Sequence, residues 1–393
     1  MTVGSTTALW RNVVTLVGSG VAVGLGVPAL ATPPTYHLVD LGTLGGNSSY
    51  GSRINANGQV SGTDTNTNHA FRSSGKTAPI TLTNLGTLGG NNSQGIGINN
   101  GGQVVGSSDT TTTGQLLTHA FRTTGNTMED LGTLGGNQSY GNGINNNGQV
   151  TGTALNSNGS HAFRSTGNGV ATVLTDLGAP GTSRSSGGIA INDSGEVAGN
   201  YDTFGLGSQA RAFRTTGNTA GAVAFTDLGT LGGTYSRATD INTFGQVVGT
   251  SETAVANILH AYITTPTSAG TFGLTDLGTL GGDNSRGSGV DTFGDVVGDS
   301  QNAGGLYRGF VYTGGQMYDL GSLVDNLGGY VIGGATGIND NGDIIANGGD
   351  GINFTHALLL TRDPAATPEP GAVAMLSASG LGGLVMLRRR RKK

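Results

Sequence analysis

Histidine is concentrated at a single repeated position of this sequence. The chain has six histidines, and five of them begin the word His-Ala-Phe-Arg or a close relative of it. Imidazole binds zinc and transfers protons near neutral pH, so a repeated histidine first indicates a metal centre or a catalytic base. The five residues are His69, His119, His161, His260 and His356.

The neighbours of these histidines favour a structural role instead. In an extended strand His161 and Phe163 lie on one face, and phenylalanine is a typical core residue. Two further copies of the word carry Arg211 and Arg308, and an arginine stays protonated and has no lone pair for a metal. We therefore interpret the five histidines as half-buried markers of the third strand of each repeat. We predict no catalytic, metal-binding or cofactor-binding residue among them.

Aspartate recurs just before a Leu-Gly pair in nearly every repeat. Carboxylates at a fixed spacing suggest calcium, which takes about six to eight oxygen ligands. However, each copy supplies one carboxylate, and Asn84 replaces it in one copy. Both residue types can cap the glycine-rich turn that follows, so we favour capping and keep calcium as the alternative. The aspartates are Asp40, Asp130, Asp176, Asp227, Asp276 and Asp319.

Short catalytic motifs are absent from the sequence. It contains no His-Glu-x-x-His, no P-loop and no Gly-x-Ser-x-Gly at a suitable strand-to-helix turn. We therefore predict that the protein is not an enzyme. The alternative is a glycan hydrolase or lyase, which would need acidic and aromatic residues clustered at one central face. Aromatic residues that could stack on sugar rings are Tyr50, Tyr140, Tyr201, Phe204 and Tyr235.

The composition is typical of many short strands joined by tight turns. Glycine accounts for 75 of the 393 residues, and charged residues make up only 11%. The chain has no cysteine, which excludes disulfides and thiolate metal sites. Seven of its 19 cations and one of its 24 carboxylates lie in residues 1–31 and 365–393, so the body between them has a net charge of −11. We exclude nucleic acid as a partner because its binding needs basic grooves.

The body is one unit written seven times. The words Leu-Gly-Thr-Leu-Gly-Gly, Ile-Asn and His-Ala-Phe each recur seven times when variants such as Val290-Asp291 are counted. From Asn55 to Asn339, six steps cover 284 residues, about 47 residues per four-stranded unit. The turn between the first two strands keeps glycine in every unit, and in several units it reads Asn-Gly, whose two residues can both take a positive φ. These glycines are Gly58, Gly102, Gly148, Gly195, Gly245, Gly294 and Gly342.

The phase of the repeat predicts a closed ring. Residues 36–41 are typical of a fourth strand without the first three, and residues 354–360 of a third strand without a fourth. The N-terminal strand can therefore complete the last sheet, which removes open sheet edges. We predict an all-β fold, a seven-bladed β-propeller over residues 36–361 closed by the N-terminal strand. A β-solenoid is the alternative, because solenoids also stack short repeats.

The N-terminal segment is typical of a secretory signal. Arg11 precedes an apolar stretch over residues 13–30, and Ala29 and Ala31 form an Ala-x-Ala cleavage site. We predict a signal peptide over residues 1–31, with a retained anchor helix as the alternative.

The C-terminal segment is typical of a membrane-sorting tail. Residues 362–370 form a proline-rich linker, residues 371–387 carry no charge, and six cations close the chain. A helix over the uncharged segment would span about 26 Å, enough to cross a bilayer, and a basic end prefers the cytoplasmic side. We predict a transmembrane sorting tail over residues 371–393, with an ordinary tail anchor as the alternative.

This tail resembles the PEP-CTERM sorting signal of Gram-negative bacteria. The resemblance implies transient insertion into the inner membrane, cleavage near the motif by an exosortase, and release to or attachment at the cell surface. It also implies exopolysaccharide and other matrix components as partners. The matching residues are Pro368, Glu369, Pro370, Arg388, Arg389, Arg390 and Arg391.

The repeat words resemble those of the HAF-type extracellular repeat proteins over residues 36–360. That resemblance implies an exported repeat domain and transfers no catalytic residue. From the sequence we therefore expect a secreted or surface-attached module of the biofilm matrix, one that interacts with carbohydrate without catalysing a reaction.

Overall fold

The computed structural model describes residues 33–112, 115–181, 183, 185–203, 210–217, 223–266, 272–349 and 355–364. These residues form 28 β-strands and one short 3-10 helix, Leu320–Ser322. Within this part of the chain, no helix is long and apolar enough to cross a membrane. The predicted signal peptide, the PEP motif, the basic end and Phe204 lie outside the described residues.

The first four sheets follow one another along the chain. Blade 1 contains β2 (Ser49–Ile54), β3 (Val60–Asp64), β4 (His69–Ser73) and β5 (Leu82–Asn84). Blade 2 contains β6 (Gly89–Ile98), β7 (Val104–Thr112), β8 (Gln115–Thr124) and β9 (Thr127–Asp130). Blade 3 contains β10 (Ser139–Ile144), β11 (Val150–Asn156), β12 (Gly159–Ser165) and β13 (Leu174–Gly178). Blade 4 contains β14 (Ser186–Ile191), β15 (Val197–Asp202), β16 (Ala210–Thr215) and β17 (Phe225–Asp227).

The remaining three sheets use both ends of the described chain. Blade 5 contains β18 (Gly232–Ile241), β19 (Val247–Thr253), β20 (Leu259–Pro266) and β21 (Phe272–Asp276). Blade 6 contains β22 (Gly281–Val290), β23 (Val296–Asn302), β24 (Tyr307–Thr313) and β25 (Gln316–Asp319). Blade 7 contains β26 (Val331–Ile338), β27 (Ile344–Gly349), β28 (Thr355–Arg362) and β1 (Tyr36–Asp40).

The strand order confirms the predicted seven-bladed β-propeller and not a solenoid. Each sheet has four antiparallel strands, and in six of them the strands follow chain order. In the seventh sheet β1 pairs with β28, with Tyr36 opposite Arg362 and Asp40 opposite Leu358. The N-terminal strand therefore supplies the outermost strand of the last blade. The first strand of every blade ends at one central channel, where a single depression touches all seven.

The turn between the first two strands of a blade differs in detail from the Asn-Gly turn expected from the sequence. In blade 1, Gly58 N–H donates to Asn55 O at 3.0 Å and Asn55 N–H donates to Gln59 O at 3.0 Å. Gly58 has φ of 74°, while Asn57 keeps a negative φ because its N–H is held by the Asn55 side chain at 3.0 Å. The expectation of two positive φ values is wrong, since only the glycine needs one. The pattern is typical of a type I turn followed by a glycine bulge.

The hydrophobic core lies between neighbouring blades. One contact between a glycine and an aromatic side chain recurs in most blades. In blade 1, Phe71 of β4 is completely buried and lies opposite Gly62 of β3. A Cβ on Gly62 would lie 2.4 Å from the Phe71 ring, so the ring occupies the space that a side chain would need. The same glycine-aromatic pair recurs in blades 2 to 6, and it locks each third strand in register. The aromatic residues are Phe71, Phe121, Phe163, Phe213, Tyr262 and Phe310.

A candidate binding site at the channel mouth

The repeated histidines lie on the third strands, away from the channel. His119 Nδ1 lies 2.9 Å from Asp130 Oδ2, and His161 Nδ1 lies 2.9 Å from Asp176 Oδ1. Each pair joins the third strand to the fourth strand of the same blade. Burial raises the pKa of Asp176, but the hydrogen bonds from His161 and from Gly178 N–H lower the pKa by more than burial raises it. The pKa of Asp176 therefore lies below its ordinary value. The pairs therefore fasten the outer edge of individual blades.

His260 and His356 make the same contact with Asp276 and Asp40, each at 2.8 Å. The other three copies of this position use different side chains. Arg211 donates to Asp227 at 3.0 Å, which explains why an arginine can replace histidine in blade 4. In blade 1 the partner is Asn84, whose Oδ1 lies 3.2 Å from His69 Nδ1. Arg308 instead donates to Tyr307 O at 2.9 Å, so blade 6 departs from the pattern.

The residues before each Leu-Gly pair cap the turn that follows. In all seven copies the side-chain Oδ1 accepts from the N–H two residues later, at 2.7 to 2.9 Å. Asn84 performs the same task as the six aspartates, because an amide oxygen accepts as well as a carboxylate. These oxygens are thus engaged by the backbone of their own turn.

A ring of asparagines surrounds the channel at the ends of the first strands. In six of the seven blades, the side-chain N–H of this residue donates to the main-chain carbonyl of its counterpart in the next blade, at 2.9 to 3.1 Å. The donors are 3 to 5% exposed, so the ring is buried. In the sequence, this residue is the asparagine of the repeated Ile-Asn motif. The donors are Asn55, Asn99, Asn145, Asn192, Asn242 and Asn339.

Asp291 breaks this ring between blades 6 and 7. Its Oδ1 accepts from Phe293 N–H and Asp295 N–H, each at 2.9 Å, as the asparagine Oδ1 atoms do in other blades. Its Oδ2 is buried without a hydrogen-bond partner in the described part of the chain. Burial, and then the negative charge of Asp295, raise the pKa of Asp291 to about 6. The oxygen thus takes the place of an amide nitrogen, and it cannot donate once the carboxyl is ionised.

A second, exposed ring of polar residues lies directly above the first. Asn146 N–H donates to Asp193 Oδ1 at 2.8 Å, and Thr292 N–H donates to Asp340 Oδ1 at 3.0 Å. The hydroxyls of Thr243 and Thr292 make no hydrogen bond to any described residue. We call the opening of the channel that these two rings surround the channel mouth. On the side formed by blades 5 and 6, the mouth therefore offers polar groups that remain available to a ligand.

Two aromatic side chains stand on the rim beside these hydroxyls. Phe244 is 74% exposed and Phe293 is 78% exposed. They occupy the same turn position in adjacent blades, where blades 1, 3 and 7 have asparagines that bond the neighbouring turn. An exposed phenylalanine gains nothing from folding, so a pair of them beside open polar groups is a candidate contact surface. The pair was missed from the sequence because each residue looks like an ordinary turn variant.

The floor of the mouth is apolar. The seven residues preceding the asparagine ring form a collar of six isoleucines and Val290 around a depression of about 190 Å³. Below the collar, the Arg53 guanidinium donates to Thr336 O in blade 7 and, at 2.9 Å, to Thr239 O in blade 5. Arg53 thus reaches across the channel from blade 1 to blade 5.

The mouth combines the features of a ligand site. It has an apolar floor, polar side chains from several blades and two aromatic rings at its edge. Its charged lining residues are Asp193 and Asp340, with no lysine or arginine among the described residues that line it. Such a surface suits an uncharged ligand that carries both hydroxyls and C–H faces.

Among the described residues, one group of potential metal ligands lies where β1 joins blade 7, and not at the mouth. His37 Nε2 is 2.7 Å from Asp363, and His37 Nδ1 is 3.6 Å from Asp325. Each ring nitrogen of His37 faces a different carboxylate. The sequence had indicated no role for His37.

No model of a known protein family and no curated protein matches this chain. Several solved structures align with most of it at low identity. A gluconolactonase from Xanthomonas campestris aligns with a TM-score of 0.42 and 10% identity, covering 84% of this chain and 95% of its own. A PQQ-bound aldose sugar dehydrogenase from Streptomyces coelicolor aligns with a TM-score of 0.40 and 11% identity, covering 85% and 100%. A luciferin-regenerating enzyme aligns with a TM-score of 0.37 and 8% identity, covering 83% and 95%. The propeller assignment itself rests on the strand order described above.

The prediction that the protein is not an enzyme is wrong. Several of the solved structures that align with the chain are named as enzymes, a gluconolactonase and a PQQ-bound sugar dehydrogenase among them. The prediction relied on the absence of short contiguous motifs. The residues that line the channel mouth come from the strand ends of seven separate blades, so a site there would contain no contiguous motif.

Proposed function

We propose that the protein is an exported propeller that binds neutral glycans at the channel mouth. The observation that carries this proposal is the pairing of Phe244 and Phe293 with the open hydroxyls of Thr243 and Thr292 at one central depression. Sugars present C–H faces that stack on aromatic rings and hydroxyls that exchange hydrogen bonds with polar side chains. The mouth offers hydroxyls in the depression and two aromatic rings beside it.

The charge of the mouth supports a neutral rather than an acidic glycan. Asp193 and Asp340 accept hydrogen bonds from hydroxyl groups but repel carboxylates and sulfates. The body of the chain has a net charge of −11, so an anionic polymer would also be repelled at longer range. Because Arg53 spans the channel below, we expect the ligand to end at the collar and not to thread through.

The test is binding of the purified chain to an array of neutral and acidic oligosaccharides. We expect binding to neutral members, and a loss of about tenfold or more in affinity for the variant Phe244→Ser/Phe293→Ser, because aromatic anchors dominate such contacts. The matched control is Leu306→Ser, which removes an exposed apolar side chain at 56% exposure away from the mouth. Equal affinity of the wild type and the double phenylalanine variant would refute the site.

A second candidate function is hydrolysis or elimination of the bound glycan. It is favoured by the acidic and aromatic residues that meet at one central face, where Asp193 and Asp340 stand on opposite sides of the two threonines along the ring. A pair of carboxylates is the usual machinery of glycoside cleavage. New reducing ends in the same incubation, lost in both Asp193→Asn and Asp340→Asn but retained in the exposed control Asp283→Asn, would establish it. No turnover of any array member that binds would refute it.

Export and sorting complete the proposal. They are supported by the basic and apolar start of the chain, by Ala29 and Ala31, and by the order of PEP motif, apolar segment and arginine cluster at its end. We expect the secreted form to begin at Thr32 and to lack residues 371–393. Intact-mass measurement of secreted protein checks both ends, and a mass that includes the arginine cluster would contradict tail removal.

A further inference from the structure

A second groove lies at the other end of the propeller, at the face where the first strands begin. It is formed by blades 1, 2 and 3, and its volume is about 370 Å³. Tyr140 of β10 forms one wall and is 40% exposed. Tyr140 and Asn146 are separated by the length of β10, so the groove and the channel mouth lie roughly 15–20 Å apart on opposite faces.

The groove contains polar groups of both kinds. Asp109 accepts from Asn92 Nδ2 at 2.7 Å and from Thr118 Oγ1 at 3.3 Å, which fixes its carboxylate against the wall formed by blade 2. The side-chain amides of Asn68 and Gln94 are exposed and make no hydrogen bond to a described residue. An oriented acceptor, two unengaged amides and an aromatic wall therefore line one groove.

At the groove, blade 2 has a small residue at one position of its second strand, where blades 1, 3 and 5 have threonine. Ser107 lies opposite Gln94 there, and it does not bridge to blade 3. At the same position blade 7 has Asn347, whose amide bonds both Gly51 N–H and Gly51 O of blade 1, at 2.9 and 3.0 Å. Blade 4 has Asn200, which bonds Ala238 N–H of blade 5 at 2.8 Å. An asparagine therefore fills the junction in those blades, whereas Ser107 leaves it open.

Tyr50 gives an internal comparison. It occupies the position of Tyr140 in blade 1 and is 45% exposed, but it stands next to the junction that Asn347 fills. Two tyrosines of similar exposure therefore differ in whether a groove lies beside them. Exposure alone does not explain Tyr140, and the open groove beside it does.

We infer that this groove is a second glycan-binding site and that the protein bridges two glycan chains, one at each face. The inference rests on the proposed binding at the channel mouth, because bridging needs both sites. The groove lacks any lysine or arginine among its described lining residues, so it also suits a neutral glycan. Two sites on opposite faces of one rigid ring cannot engage neighbouring sugars of a single chain segment, so the second site adds cross-linking rather than local affinity.

The experiment uses the purified chain, the neutral oligosaccharide that binds most tightly on the array, and the soluble polysaccharide that contains it. Calorimetry with the oligosaccharide should give two sites per chain for the wild type. It should give one site for Tyr140→Ala and one for Phe244→Ser/Phe293→Ser, with the affinity of each lost site reduced about tenfold or more. The polysaccharide should gain viscosity with the wild type and with neither variant. Tyr50→Ala should behave as the wild type, and unchanged thermal unfolding should show that each variant is folded.

The outcomes separate the two proposals. One site per chain that survives Tyr140→Ala overturns the second site and leaves the channel mouth standing. One site that survives Phe244→Ser/Phe293→Ser but not Tyr140→Ala overturns the channel-mouth proposal and the bridging with it. Equal losses in Tyr140→Ala and Tyr50→Ala overturn the groove as the cause, and absence of binding to every array member overturns both proposals.

Discussion

The side-chain amide of Asn339 donates a 2.9 Å hydrogen bond to the main-chain carbonyl of Asn55, a residue 284 positions earlier. This bond joins the last blade to the first at the channel, while β1 joins them at the outer edge. The Asn339 Oδ1 atom also accepts from Asn341 N–H and Asp343 N–H, at 3.0 and 2.9 Å. One buried side chain therefore shapes its own turn and closes the ring.

Replacing Asn339 by alanine should destabilise the fold. We expect a loss of about 1–3 kcal/mol in the free energy of unfolding, because a buried side chain with several hydrogen bonds is removed and its partners are left without a donor or acceptor. Urea unfolding followed by circular dichroism measures it. The control is Asn341→Ala, since this exposed amide bonds Ala56 O at 2.8 Å across the same junction and should cost less. Equal losses in the two variants would contradict the importance of the buried bond.

Replacing Asp291 by asparagine should stabilise the protein at neutral pH. The pKa of Asp291 is about 6 in the fold, raised from its ordinary value of 3.8, so the folded state favours the protonated form. The stabilisation that comes from protonation of Asp291 is fully present below about pH 3.8 and is lost as the pH rises through about 6. The loss amounts to about 3 kcal/mol in the free energy of unfolding. Asparagine donates at every pH and removes that loss.

Urea unfolding of wild type and Asp291→Asn between pH 5 and pH 8 measures the difference. The gap should widen with rising pH and reach its full value near pH 8. The opposite substitution, Asn145→Asp, should create a second break in the ring and introduce a new pH-dependent loss. A gap that stays constant across this range would show that Asp291 does not titrate as described.

The architecture could be predicted from the sequence because repetition made it visible. Seven copies of Gly58 and its counterparts fixed the turns, and the incomplete units at residues 36–41 and 354–360 fixed the closure. The turn type was not predicted correctly. The deciding contact is the hydrogen bond that Asn57 N–H donates to the Asn55 side-chain oxygen. In the sequence, Asn55 is only one residue of a repeated motif.

The candidate sites could not be predicted because each depends on differences between repeats. Phe244 and Phe293 are single-letter changes in a turn, and Ser107 matters only because Asn347 and Asn200 fill the same position elsewhere. Tyr140 was among the candidate sugar-stacking residues, but Tyr50 could not be distinguished from it. The role of such differences becomes visible only when equivalent positions of the blades are compared in the structure.

Replacing His119 by arginine should be nearly neutral, while alanine should not. Arg211 already bonds Asp227 at 3.0 Å in blade 4, so an arginine can serve Asp130 in blade 2. We expect His119→Ala to cost about 0.5–1.5 kcal/mol and His119→Arg to lie within about 0.5 kcal/mol of wild type. Thermal unfolding of both variants measures this. A glycan-binding or cleavage defect in a folded His119→Arg variant would contradict a purely structural histidine.

Replacing Arg53 by alanine should lower the free energy of unfolding. Replacing Asp240 by alanine in the same variant should restore part of that loss. Burial raises the pKa of Asp240, and the positive charge of Arg53 opposes that effect, so the two residues balance each other inside the channel. At their position the other blades have only glycine or Ala190, so alanine fits the space. Arg53→Ala should cost about 2–4 kcal/mol, because it leaves a buried carboxylate uncompensated and frees two carbonyls. The double variant Arg53→Ala/Asp240→Ala should recover at least half of this loss in urea unfolding, since no charge then remains at that level of the channel. Additive losses in the double variant would mean that Arg53 stabilises the ring only through its bonds to Thr239 and Thr336.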